Sequence, residues 1–83
     1  MEKEIGKVIH YYDKLGVAVV RLSGSLATGD AIKIKKGESE FTDIVESMQV
    51  EHAPVMSAQA GQEVAIKISQ KTKEGASVSK VEE

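Results

Sequence analysis

The chain has 83 residues, 41% hydrophobic and 29% charged, with no cysteine, no tryptophan, one proline and three aromatics, Tyr11, Tyr12 and Phe41. A chain this short buries only about 60–65% of the surface it exposes when unfolded, which implies one domain over 1–83 with its core between 5 and 81 and argues against a large enzyme with a deep cleft. The lack of cysteine excludes a disulfide frame, a thiolate nucleophile and cysteine-ligated metal, and a formal charge of −2 argues against nucleic-acid binding by bulk charge while leaving room for a local basic patch.

In chain order, Ile5 to Tyr12 and Val17 to Leu22 are rich in Val, Ile and Tyr and flank the turn-like Asp13-Lys14-Leu15-Gly16, which predicts a hairpin. Ile32-Lys33-Ile34-Lys35 alternates at period two after the turn signal Thr28-Gly29-Asp30, as a half-buried third strand would. After Lys36-Gly37-Glu38-Ser39, the stretch Glu40 to His52 sets Ile44, Glu46, Met48 and Val50 on one face and Phe41, Asp43, Val45 and Ser47 on the other, which a bulge would reconcile. Ala53 to Ala60, with Pro54 and small residues, reads as a loop. Val64 to Ile68 and Val78 to Val81 complete six expected strands. One phrase recurs, a glycine followed three residues later by a β-branched residue, at Gly29/Ile32, Gly61/Val64 and Gly75/Val78. Six short strands with regular glycine turns predict an all-β, small closed six-stranded barrel, a reading that SH3-like and oligonucleotide-binding barrels share, since closure removes sheet edges.

The apolar run through Gly16 to Val20 falls far short of the roughly 20 residues of a membrane helix. Met-Glu-Lys-Glu at the start is no signal-peptide core, so the expectation is a cytoplasmic protein with no membrane partner.

Leu26-Ala-Thr-Gly29-Asp30-Ala-Ile32-Lys-Ile34 resembles the Leu-x-x-Gly-Asp-x-Ile/Val-x-Ile phrase in the second, β-barrel domain of translational GTPases. Val45-Glu-Ser47-Met48-Gln-Val50-Glu-His52 and then Ala58-Gln-Ala-Gly61-Gln-Glu-Val64-Ala-Ile66 resemble, in order and spacing, the matching parts of elongation factor one-alpha and elongation factor Tu. Gly75 stands where that family has the glycine before its last strand, so the resemblance runs from about Ile5 to Val81. The opening Gly6-Lys-Val8-Ile-His10-Tyr11 is similar to the small barrel at the C-terminus of the collagenase-like peptidase family, also found alone as a translation elongation factor-like protein.

The resemblance implies a Greek-key-type, elongation factor domain 2-like barrel that recognises RNA, such as transfer RNA, or that docks onto a protein of the translation or RNA-modification machinery. A glutamate with which the family barrel reads the terminal adenosine of transfer RNA corresponds to Gln49, an amide that still hydrogen-bonds. Where that barrel has an acidic and aromatic segment before its first strand, this sequence has Met1 to Glu4 ahead of Ile5. No Gly-x-x-x-x-Gly-Lys-Ser/Thr phosphate loop occurs, so no bound nucleotide and no GTPase activity are expected.

The residues offer little for catalysis or metal binding. Glu51-His52 with His10 lacks a His-x-x-x-His spacing or a third fixed ligand. Glu40, Asp43 and Glu46 read as a solvated strand face, and Ser23, Ser25 and Ser57 lack a nucleophile signature. No catalytic residue, metal or cofactor is therefore assigned, and the expected role is a non-catalytic binding module. Lys33, Lys35 and Lys36 on the third strand and its turn, with Lys67, Lys71 and Lys73 at and after the fifth, would form a phosphate-contacting stripe if closure brought those strands together. The same lysines also serve solubility and edge protection. Tyr11 and Tyr12 point to opposite faces, leaving one to stack on a base or a partner. Tyr12, Val55 and Met56 are the candidate contacts for the protein-docking alternative.

Overall fold

The computed structural model describes residues 2–51 and 53–81. Among these residues every regular element is a strand: β1 (Glu2–Tyr12), β2 (Val17–Leu22), β3 (Leu26–Ala27), β4 (Ala31–Lys36), β5 (Ser39–Ile44), β6 (Met48–Val50), β7 (Ala53–Val55), β8 (Ser57–Ala58), β9 (Glu63–Lys67) and β10 (Ser77–Val81). Eight of them form one antiparallel sheet in the order β5-β4-β10-β1-β2-β9-β6-β7, and β3 pairs with β8 in a separate ribbon.

The expected hairpin is present, closed by the pair Tyr12↔Val17 and by the Leu15 and Gly16 amides donating to the Tyr12 carbonyl. β1 is long because it serves two neighbours, β10 through its first half and β2 through its second. Register shifts between Glu4 and Gly6 and between Val8 and His10 bend it around the core. The second shift reverses the alternation, so Tyr11 packs against the core while Tyr12 stays 46% exposed.

Two expectations need correction, and with them the six expected strands become ten among the described residues. The stretch after Lys36 is not one bulged strand: β5 stops at Ile44, and β6 starts at Met48 and pairs elsewhere, with β9 and β7. Ala53 to Ala60 is not a loop, since it holds β7 and β8 and donates edges to β6 and β3. Pro54 is tolerated because β7 is the last strand of its sheet.

The recurring glycine phrase is one turn used three times. Gly29, Gly61 and Gly75 have φ of 91°, 91° and 89°, a region that favours glycine. The next residue's amide donates 3.2 Å back across each turn, Asp30 to Ala27, Gln62 to Gln59 and Ala76 to Lys73. Each turn is also pinned to one buried aliphatic residue, Val45, Leu22 or Val8, whose carbonyl accepts from the glycine amide and whose amide donates to the following residue's carbonyl. The three turns launch β4, β9 and β10.

The core is a single cluster of buried apolar side chains from Ile5 to Val78, with no buried polar or charged residue among those described. Its burial follows the predicted alternation: Ile32 and Ile34 in β4, Val64 and Ile66 in β9 and Val78 in β10 are each at most 1% exposed.

Candidate functional site

The same alternation that fills the core dictates what faces outward, and β2 and β9 break the usual polar rule. Val17 and Val19 on β2 and Ala65 on β9 are half-buried on the outer face, with Val19 opposite Ala65 and Ala65 opposite Gln49 of β6. They floor a groove of about 780 Å³, walled by Tyr12 and Leu15 on one side and by Gln49 on the other. Glu51, Gln62 and Glu63 complete its rim. Two residues singled out in the sequence, Tyr12 and Gln49, thus meet in one groove although 37 positions apart.

Tyr12 lies beside an exposed ion pair. Its ring sits edge-on to His10 at 4.2 Å between centroids, and His10 Nδ1 lies 3.1 Å from Glu74 Oε2, with the ring nitrogen as donor since an ionised carboxylate only accepts. An apolar floor, one aromatic wall, two amides and two carboxylates suit a flat polar ring, such as a base, whose edges need both donors and acceptors. Val17, Val19 and Leu15 escaped the sequence reading. The available signal was the unbroken run Val17-Ala18-Val19-Val20, apolar on both faces of a strand whose outer side meets solvent.

The lysines separate into two places. β4 and β9 are not neighbours, because β10, β1 and β2 lie between them, so Lys33 and Lys35 do not share a stripe with Lys67 across adjacent strands. Lys36, Lys71 and Lys73 do come together, around a smaller cavity of about 240 Å³ floored by Ile34 and Phe41. The segment carrying Lys71 and Lys73 is anchored by Asp43, whose Oδ2 accepts from the Ser69 amide at 2.7 Å and the Ser69 hydroxyl at 3.0 Å. Lys71 also reaches Asp13 at 3.5 Å, an exposed pair that contributes little.

Val55 and Met56 diverge as well. Val55 packs against the core, whereas Met56 is 79% exposed. His52 lies outside the described residues. Among the described residues no group of three or more His, Asp or Glu side chains is placed to hold a metal. Nor is any helix there long and apolar enough to cross a membrane. His10 is engaged by Glu74 and not by a serine hydroxyl.

No family model matches the chain. An uncharacterized protease of Methanocaldococcus jannaschii is 37% identical over 73 residues, which cover 87% of this chain and 18% of that protein. The chain therefore spans less than a fifth of the length of this curated relative. The crystal structure of the C-terminal domain of a Geobacillus thermoleovorans protein assigned to the U32 peptidases matches with a TM-score of 0.90, over 96% of this chain and 93% of that one. Its selenomethionine variant matches at 0.87, over 92% and 96%. At 22% identity these two show a common fold. In fold, the chain resembles the C-terminal domain of a U32, collagenase-like peptidase.

Proposed function

We propose that this chain is a non-catalytic RNA-binding module of the elongation factor domain 2 type, taking an unpaired base, such as the end of a transfer RNA, into the groove between Tyr12 and Gln49. The observation that carries the reading is the convergence of that tyrosine and that amide on an apolar floor of Val17, Val19 and Ala65. Base stacking on an aromatic contributes about 1–3 kcal/mol, and Gln49, Gln62 and the rim carboxylates supply donors and acceptors for base edges and ribose hydroxyls. The two carboxylates disfavour phosphate inside the groove, which suits a base there and a backbone elsewhere.

The reading includes a closed barrel. The outermost strands β5 and β7 are bridged through the β3–β4 turn, where the Gly29 amide donates to the Val45 carbonyl and the Thr28 amide to the Met56 carbonyl. Those bonds and the single core are what closure would leave.

Titration of the full chain with adenosine and with a 3′-terminal transfer-RNA oligonucleotide, followed by backbone amide NMR, tests the function. Shifts should centre on Tyr12, Val19, Gln49 and Ala65. Gln49→Ala with Tyr12→Ala should weaken binding at least tenfold while leaving the spectrum dispersed, and unchanged affinity would overturn the reading.

A second reading, docking onto a peptidase-family or translation-associated protein, is favoured by one observation: the matching region is 18% of its Methanocaldococcus jannaschii relative, so there it accompanies a much longer chain. Leu15, 65% exposed at the groove wall, would then insert into the partner. Leu15→Asp abolishing a nuclease-resistant protein complex would support this reading over the first.

A further inference from the structure

One transverse row of the sheet's outer face carries a concentration of positive charge that the linear sequence conceals. The registers align Glu63↔Arg21 between β9 and β2, Arg21↔Lys7 between β2 and β1, Lys7↔Ser77 between β1 and β10, Ser77↔Lys35 between β10 and β4, and Lys35↔Glu40 between β4 and β5. Six strands thus contribute one residue each to a line that crosses them, with Arg21, Lys7 and Lys35 in the middle and a carboxylate at either end. All three cations are exposed. Among the described residues none of the three forms an ion pair. Ser77 turns its hydroxyl back to the Lys35 carbonyl at 3.3 Å, leaving a low saddle between Lys7 and Lys35.

This row adjoins the groove. Arg21 lies two positions along β2 from the floor residue Val19, and Glu63 two positions along β9 from Ala65 while itself lining the groove. Strands spaced about 4.8 Å apart set Arg21 and Lys35 about 14 Å from each other, a length over which a single strand presents several phosphates. One row further along, on the side away from the groove, Glu4 of β1 sets a negative charge beside Ser79.

Resting on the RNA reading above, we propose that Arg21, Lys7 and Lys35 form a phosphodiester track, so that a single strand whose terminal base occupies the groove runs out over Arg21 and across β1 and β10 towards β4. The groove then selects the base, and the row supplies length-dependent, salt-sensitive affinity. Lys7 and Arg21 act only through charge, so they discriminate chain length and not sequence.

The test uses the full chain, with adenosine and oligoadenylates of two, four and six nucleotides titrated between 50 and 200 mM KCl. Wild-type affinity should rise from adenosine to the hexamer, and the log–log salt slope should steepen with it. In Lys7→Gln/Arg21→Gln, adenosine binding should be unchanged while the hexamer slope falls in magnitude by about 1.4, two contacts at about 0.7 each. Adenosine binding with an unaltered hexamer slope overturns the track and spares the groove. A lysine- and arginine-dependent hexamer slope with no adenosine binding and no effect of Gln49→Ala supports the track and overturns the groove. Equal binding of polyglutamate, lost in the same double variant, overturns the track as an RNA site and makes it a surface for an acidic protein segment.

Discussion

Gly6 shows how a single residue's role is invisible in a linear phrase and plain in space. A Cβ built there would stand 2.6 Å from the Arg21 carbonyl oxygen and 2.8 Å from Val20 Cγ1, so β1 and β2 approach too closely for any side chain. Gly6→Ala should therefore destabilise the chain by about 1–3 kcal/mol, because the backbone of a central strand pair cannot give way; urea unfolding would show it, and a variant as stable as the parent would refute the close approach. Asp30 belongs to the same scale. In the phrase Leu26-x-x-Gly29-Asp30 its Oδ2 accepts from the Ala27 amide at 2.9 Å and pairs with Lys80 at 3.3 Å, with Asp30 and Lys80 both half-buried. The most family-like spelling in the sequence is thus a clasp that holds a turn to β10 and carries no ligand chemistry in itself. Asp43, one of the three carboxylates read in the sequence as a solvated strand face, is likewise spent on tethering Ser69.

Elements of two or three residues were the ones the sequence hid. β7 and β8 fall in a stretch rich in small residues around Pro54, and such short strands have too few positions for alternation to emerge. They exist because β6 and β3 offer partner edges. The consequence separates two adjacent residues that look equivalent in the sequence. Val55, paired with Met48 and packed on the core, should lose about 1–3 kcal/mol on Val55→Asp, the cost of burying a polar group without a partner. Met56→Asp, at a site 79% exposed, should change stability by less than about 0.5 kcal/mol. Thermal unfolding of both variants checks this, and a docking assay is interpretable only with Met56. The three glycine turns are the opposite case: each is legible from its glycine and following strand, and each repeats the same hydrogen bonds.

At the scale of the whole molecule, strand order decides which charges become neighbours. Three strands intervene between β4 and β9, which disperses the stripe expected from their lysines. The same order gathers Lys7 and Arg21, which no local pattern marks, beside Lys35. One core also implies one transition, since its members come from both halves of the main sheet. Ile34→Ala, at a site 1% exposed, should cost about 2–5 kcal/mol. A domain of 83 residues has a total of only about 4–12 kcal/mol. Circular dichroism and amide NMR should report the same lowered midpoint for that variant, and separate midpoints for the two sheets would contradict a single cooperative unit.

Period-two alternation, glycine at turns and the absence of polar residues at inward positions act between near neighbours, so the sequence by itself determined the all-β class, the principal strands and most of the core. Tyr12 and Gln49 were also legible as isolated candidates, one as a member of a tyrosine pair pointing to opposite faces and the other from a resemblance. Their shared groove, the apolar floor between them, the parting of Lys36, Lys71 and Lys73 from Lys33 and Lys35, and the cation row depend on pairings between residues tens of positions apart. Only the tertiary structure decided those, because cross-strand register and strand order are set by how the whole sheet curls over one core.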